Sequence, residues 1–415
     1  MTLLAELLST VFERGQRFAG VAHVDDGPIT DLTHQLVRAT DEVSGLSIAQ
    51  QILQRYAAFA DTEKLQFFRH LAQDMAISGE KVRVALAAFE SGQTRATYRA
   101  FIEAAEPPRQ ELVRRLNQVP GATGELVRMR ADLLRLGQDD DALMALDLDF
   151  RHLFASWFNR GFLVLRPINW QSPAHILEKI IAYEAVHAID SWSELRRRLQ
   201  PTDRRCFAFF HPAMPDEPLI FVEVALTRGV PGSVQALLAE DRVTLAAEST
   251  DTAAFYSISN CQAGLAGVSF GNSLIKQVAS DLALTLPGLK TFVTLSPIPG
   301  FCDWLKSLDH PVDPTNDQQM RALAAHYLYA VKRSDGLPLD PVARFHLGNG
   351  AQIHQVHAGA DTSARGMAQS TGVMVNYLYD LRKVSQNHEN FASAHQIAAS
   401  SDIRALSTAA RKLNI

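Results

Sequence analysis

Near residue 160 the 415-residue chain changes its hydrophobic rhythm. Before that point apolar residues recur at helical spacing and no strand-like alternation is seen. Over 46–60, Ile48, Ile52, Leu53, Tyr56 and Phe59 share one helical face, and Asp61 or Thr62 then offers a cap before Leu65, Phe68, Ala72 and Met75. Further helices are predicted over 81–92, 94–105, 108–118 and 122–136, with Pro107, Pro108, Pro120 and Gly121 marking the breaks. Residues 1–155 therefore read as a helical bundle, suited to subunit contact or to supporting a second domain.

Beyond it, strands and helices alternate. A helix is predicted over 172–190, opening on Ser172 and Pro173, and another over 192–199. The β-rich runs 206–210 and 218–226 read as a hairpin across the turn-rich HPAMPDE. A third run, 253–259, leads into a glycine-rich loop, a helix over 272–286 capped by Asn272, and a strand over 290–295 that stops at Ser296-Pro297-Ile298-Pro299-Gly300. A strand is predicted over 345–356 and closing helices over 371–388 and 401–413. Residues 156–415 thus form an α/β or α+β domain, and the whole chain is α+β.

Lys plus Arg number 40 and Asp plus Glu 45, a net charge of −5 that argues against a nucleic-acid partner. Cys206, Cys261 and Cys302 cannot all pair and lack metal-ligand spacing, which points to reduced thiols and a cytoplasmic location. The opening MTLLAELLSTVFERG reads as an amphipathic helix, not a signal peptide, and the charge-free stretch 252–275 is too broken by polar residues and glycine to span a membrane.

Several segments invite chemistry. The loop Gln262–Asn272 carries Gly264, Gly267 and Gly271 and opens onto a helix N-terminus, where unpaired amides attract phosphate. It matches neither the P-loop nor G-x-G-x-x-G, so a dinucleotide site is not expected. Its Gly267-Val268-Ser269-Phe270-Gly271 has the form of a nucleophile elbow, but no strand runs directly into it. Ser296 sits where a strand meets a stiff Pro-rich turn, the edge at which α/β folds collect ligands. His346 lies in a short apolar run before Gly348-Asn349-Gly350. His354 and His357, three apart on a strand, face opposite ways, and Glu184 with His187 on a helix lacks the partners a di-iron site needs. Arg196–Arg198 with Arg204 and Arg205 form a solvated face or receive a peripheral phosphate.

Five blocks together resemble the malonyl-CoA decarboxylase family: WFNRGFLVLRPINWQSPAHILEKIIAYEAVHAI (157–189), RRCFAFFHPAMPDEPLIFVEVAL (204–226), FYSISNCQAGLAGVSFGNSLIK (255–276), LSPIPGF (295–301) and RFHLGNGA (344–351). The likeness extends through Val375-Asn376-Tyr377-Leu378-Tyr379. It implies a helical oligomerisation domain followed by a catalytic domain with an N-acetyltransferase-like (GNAT) fold. It further implies that Ala266, Gly267, Val268, Ser269, Phe270, Gly271 and Asn272 form the acyl-CoA loop, with Ser296 and His346 as the catalytic serine and histidine and Tyr379 in support. Ser269 stands where members of the family carry an acidic residue, and the chain ends Lys412-Leu413-Asn414-Ile415 without a peroxisomal Ser-Lys-Leu.

The reaction so implied converts malonyl-CoA to acetyl-CoA and CO2 through a thioester enolate. The thioester accepts the charge, so no cofactor is expected; coenzyme A is part of the substrate. Ser296 is expected to bind the malonyl head and mediate proton movement. His346, with an ordinary imidazole pKa near 6.5, is expected to supply the proton. A nucleophilic Ser296, an acyl-CoA-dependent acyltransferase and a non-catalytic acyl-CoA sensor are the alternatives. The expected assembly is a homo-oligomer, dimer or tetramer, without nucleic-acid or membrane partners.

Overall fold

The computed structural model describes residues 27–268, 274–308 and 312–412, so the expected N-terminal amphipathic helix lies outside the described residues. The chain divides into two compact units. The first comprises residues up to Leu163 together with His211–Pro215 and Gln262–Ser269; the second holds the remainder.

Among the described residues eight helices build the first unit: α1 (Ile29–Arg38), α2 (Glu42–Ala57), α3 (Asp61–Gln73), α4 (Gly79–Ser91), α5 (Arg95–Ala105), α6 (Pro108–Leu116), α7 (Ala122–Leu136) and α8 (Asp141–Trp157). Ile52, Phe67, Phe68, Leu112, Leu126, Leu133, Phe150 and Phe154 form its dry interior. The α3 cap differs from expectation: Ala60 is the N-cap, and its amide donates to the Glu63 carboxylate at 2.8 Å. The segment 262–268 packs on α7, where the carbonyl of Gly264 accepts from Arg130 Nη1 at 2.7 Å and Arg130 is itself paired with Asp147. A Cβ on Gly264 would stand 1.8 Å from the Val127 carbonyl oxygen, so only glycine permits this approach.

The second unit is a mixed eight-stranded sheet: β1 (Val164–Ile168), β2 (Arg204–His211), β3 (Met214–Thr227), β4 (Thr252–Asn260), β5 (Thr291–Thr294), β6 (Ser296–Pro297), β7 (Gln352–His357) and β8 (Met374–Leu378). The order is β1-β2-β3-β4-β5-β8-β6, with β7 on the other side of β8. Helices α9 (Ala174–Tyr183) and α10 (Trp192–Leu199) separate β1 from β2, β2 and β3 form the expected hairpin, and α12 (Leu274–Thr285) carries the chain from β4 to β5; a short α11 (Val234–Leu238) precedes β4. That crossover makes β4 and β5 a parallel pair, while β1–β2, β3–β4, β5–β8, β6–β8 and β7–β8 are antiparallel. The succession of helices, hairpin, strand, loop, helix and strand is the one expected for the domain. The remaining helices are α13 (Phe301–Lys306), α14 (Asp317–Ala330), α15 (Pro341–Gly348), α16 (Ala364–Ser370), α17 (Val384–Ala394) and α18 (Ser401–Arg411).

Three expectations fail here. The strand foreseen over 345–356 is β7 only from Gln352; residues 341–348 are helix α15, because the Asp340 carboxylate caps the amide of Ala343 at 2.8 Å and Pro341 is preset for the first turn. The helix foreseen over 371–388 is β8 followed by α17: Met374, Val375, Asn376 and Tyr377 are all fully buried, so the strand shows no alternation to read. The helix foreseen over 172–190 stops at Tyr183, and Glu184 instead accepts the amides of Val186 and His187, which removes the helical Glu184/His187 pair altogether.

Candidate active site

A cleft opens where β4 and β5 part. Their pairing ends with Phe255 opposite Thr294; one more bond, Leu295 amide to Phe255 carbonyl at 2.9 Å, closes the contact, while β4 runs on to Asn260 and β6 turns to β8. The resulting cavity, about 260 Å³, is lined by Tyr256, Ile258 and Asn260 from β4, Ser296 from β6, and Phe345 and His346 from α15, with Val186 at its rim. Among the described residues that line it none is charged.

Ser296 and His346, fifty residues apart in sequence, meet at the foot of this cleft: Oγ lies 3.1 Å from Nε2, and both side chains are buried. On the other side of the ring, Nδ1 lies 2.9 Å from the Tyr379 hydroxyl. The ring stacks on Tyr377 with centroids 4.4 Å apart. Ser296 Oγ–H donates to Thr294 Oγ1 at 2.8 Å, a partner that sequence reasoning missed. The signal, a threonine two residues before the serine, means nothing until the strand register is known.

His346 has no charged neighbour, and burial pushes its imidazole down to about 3, far from the ordinary value expected from sequence. The ring is therefore neutral at pH 7. Burial also raises the phenols of Tyr377 and Tyr379, which stay protonated. Asp340, at the start of the helix that carries His346, is buried and raised to about 6 by that burial, against the pull of its amide donors.

Of the loop expected to hold acyl-CoA, Ala266, Gly267 and Val268 follow a short 3-10 turn at Ala263–Leu265, and the Gly267 carbonyl accepts from Arg151 at 3.3 Å. Ser269, Phe270, Gly271 and Asn272 lie outside the described residues. With that turn between β4 and the loop, Gly267–Gly271 does not follow a strand as a nucleophile elbow must. The arginine cluster is engaged within the chain: Arg196 bonds Gln200, Arg197 pairs with Glu240, Arg198 with Glu194 and Glu223, Arg204 with the Leu237 carbonyl, and Arg205 with the Thr202 carbonyl. Among the described residues no group of three His, Cys, Asp or Glu is arranged to hold a metal ion, and no helix is long and apolar enough to cross a membrane.

Comparison with known proteins follows the same lines. The malonyl-CoA decarboxylase C-terminal domain matches residues 161–319 and 312–414, and the malonyl-CoA decarboxylase N-terminal domain matches 76–158. The mitochondrial malonyl-CoA decarboxylase of Anser anser anser is 35% identical over 348 residues, 72% of this chain and 69% of its own; that of Rattus norvegicus is 32% identical over 346 residues, 71% and 70%. Crystal structures of malonyl-CoA decarboxylase from Rhodopseudomonas palustris (45% identity, TM-score 0.86, 91% of this chain and 98% of that one) and Agrobacterium vitis (47%, 0.86, 91% and 99%) share its fold. With the sequence matched on both sides of residue 160 and the fold superimposing along nine-tenths of the chain, the protein belongs to the malonyl-CoA decarboxylase family.

Proposed function

We propose that the chain decarboxylates malonyl-CoA to acetyl-CoA and CO2, with Ser296 and His346 in substrate positioning and proton transfer. The observation that carries this reading is the Ser296–His346 hydrogen bond at the foot of an uncharged cleft. A malonyl carboxylate entering such a cleft loses hydration and finds no arginine or lysine among the described lining residues, which raises its energy relative to neutral CO2. The same negative charge favours the imidazolium of His346, so substrate brings a proton with it. As the bond from the α-carbon to the carboxylate breaks, its electron pair moves into the thioester as an enolate, stabilised by the His346 imidazolium and by the Ser296 hydroxyl once its hydrogen turns from Thr294 to the enolate oxygen. The α-carbon then takes a proton from His346, directly or across Ser296, which leaves the imidazole neutral and completes the acetyl methyl group. The thioester is the electron sink, so the step asks nothing of a cofactor.

The loop Ala266–Asn272 is assigned to the coenzyme A moiety, a reading supported by its glycines and the helix that follows it. Incubation of purified protein with malonyl-CoA alone tests the whole reading: acetyl-CoA and CO2 appear in equal amounts. An absolute need for an acceptor amine or hydroxyl makes it an acyltransferase, and binding without turnover makes it a sensor. A nucleophilic serine is disfavoured because the Ser296 hydrogen points to Thr294, not to the imidazole.

A homo-oligomer is also proposed. Helices α4 and α5 bury none of their residues, yet present Val84 at 67%, Tyr98 at 56% and Ile102 at 46% exposure, an apolar face that a second copy of the chain would cover. Three unpaired cysteines, two of them buried, support a reducing compartment such as the cytoplasm.

A further inference from the structure

The line formed by β5 and β6 runs against β8 in one register, Val293 opposite Leu378 and Ser296 opposite Val375, but the ladder is interrupted between them. Leu295 spends its amide on Phe255 of β4 instead. Two backbone groups beside this gap are met by side chains. The Tyr377 amide donates to Thr294 Oγ1 at 3.1 Å, and the Thr294 carbonyl accepts from Asn376 Nδ2 at 2.8 Å. Asn376 is held in turn, donating to the Pro231 carbonyl at 3.2 Å and accepting from His357 Nε2. Thr294 and Asn376 are both completely buried.

The Thr294 hydroxyl oxygen thus receives one hydrogen from Tyr377 and a second from Ser296. The rest of the network is then constrained. With its only hydrogen committed to Thr294, Ser296 faces His346 Nε2 as an acceptor, so the imidazole carries its hydrogen there. Nδ1 is left with a lone pair, which accepts the Tyr379 hydroxyl. The geometry points to Thr294 as a positioning residue: it sets the direction of every hydrogen bond from Ser296 to Tyr379 and keeps His346 in the Nε2–H tautomer. Valine has the same shape and the same preference for a strand but offers no acceptor. In its presence the nearest acceptor for the Ser296 hydrogen is Nε2, and the imidazole hydrogen moves to Nδ1.

The consequence for turnover rests on the decarboxylase reading above; the tautomer does not. Long-range 1H–15N spectra of 15N-histidine-labelled protein at pH 7 test it, with the His346 signals identified by their loss in His346→Asn. Wild type shows a protonated Nε2 and a bare Nδ1; Thr294→Val shows the reverse; Thr294→Ser keeps the wild-type pattern. With malonyl-CoA, Thr294→Val lowers kcat roughly 10- to 100-fold with KM within about threefold, and Thr294→Ser restores kcat to within about threefold. A protonated Nδ1 in wild type or in Thr294→Ser overturns the assignment, and so does a folded Thr294→Val that retains Nε2–H. Should Thr294→Val not fold, the wild-type and Thr294→Ser spectra still decide. If the spectra behave as stated while malonyl-CoA is untouched, the decarboxylase reading fails and the role of Thr294 stands.

Discussion

Tyr379 stands behind His346, its hydroxyl 2.9 Å from Nδ1 and its side chain buried with the ring. A phenol at this place serves both states of the imidazole. It donates to the bare Nδ1 of the neutral ring and accepts from Nδ1–H of the imidazolium, turning only its hydrogen. Tyr379→Phe leaves the imidazolium Nδ1–H without a partner, a loss of about 1–3 kcal/mol on the charged form. Steady-state assays are expected to show kcat lowered about 10- to 100-fold with KM little changed. An unaltered kcat removes Tyr379 from the mechanism.

His346 itself is more demanding. Its burial and its bond to Ser296 place its imidazole at the foot of the cleft. His346→Asn keeps a polar side chain of similar breadth but cannot carry the proton, and loss of a placed acid lowers rates about 10²- to 10⁴-fold. Acetyl-CoA binding measured by calorimetry should stay within a few-fold of wild type while turnover collapses. Retention of more than a tenth of the activity contradicts the assignment.

The residues of this site differ in how far the sequence exposes them. Ser296 and His346 stand in distinctive blocks, LSPIPGF and RFHLGNGA, and a family resemblance reaches both directly. The helix under His346 does not, because Arg344-Phe345-His346-Leu347 is too short to show a period, and its start depends on the capping geometry of Asp340. Strand β8 is concealed for the opposite reason: flanked by β5 and β6 on one edge and β7 on the other, it is buried on both faces and shows no alternation. Thr294 is invisible in sequence because its role exists only once residue 377 is laid opposite it. The lowered pKa of His346 is likewise a product of packing, since no neighbour in sequence carries the burial that causes it.

Acid stability follows from that burial. The folded pKa of His346, about 3, lies below the unfolded 6.5, so the unfolded chain binds the proton first and stability falls as pH drops from 6.5 towards 3. His187, lowered by burial to about 4, acts with the same sign. Between pH 7 and pH 5 the His346 contribution alone is about 2 kcal/mol. Urea unfolding at the two pH values should show wild type losing about 2 kcal/mol more than His346→Asn over this interval. Equal losses in the two proteins place the ring in contact with water.

Self-association is expected to run through α4 and α5. Phe89 stacks on Phe101 with ring centroids 6.1 Å apart and tilts against Tyr98, so the two helices make a pair of their own while leaving Val84 and Ile102 uncovered. Ile102→Glu puts a charge on that face at no cost to a buried core. Sedimentation velocity at micromolar concentration should show the wild type as an oligomer and Ile102→Glu shifted to a smaller species with its melting temperature little changed. A monomeric wild type, or a variant that sediments identically, moves the interface elsewhere.

The segment before the loop proposed to hold coenzyme A is held by a backbone contact that tolerates no side chain. Gly264 packs so closely on α7 that a Cβ would lie 1.8 Å from the Val127 carbonyl oxygen and 2.7 Å from its carbon. Backbone cannot yield as a flexible side-chain tip can, so Gly264→Ala must lift the segment from the helix. That displaces the Gly264 carbonyl from Arg130 Nη1, 2.7 Å away, and leaves a buried guanidinium with only Asp147 to satisfy it. A loss of about 2–4 kcal/mol is expected from steric displacement and the orphaned donor together. Thermal melting should register that loss. If Ala266–Asn272 holds coenzyme A, KM for malonyl-CoA rises by more than tenfold while the Ser296–His346 chemistry is untouched; a normal KM in a folded Gly264→Ala protein assigns the coenzyme to another surface.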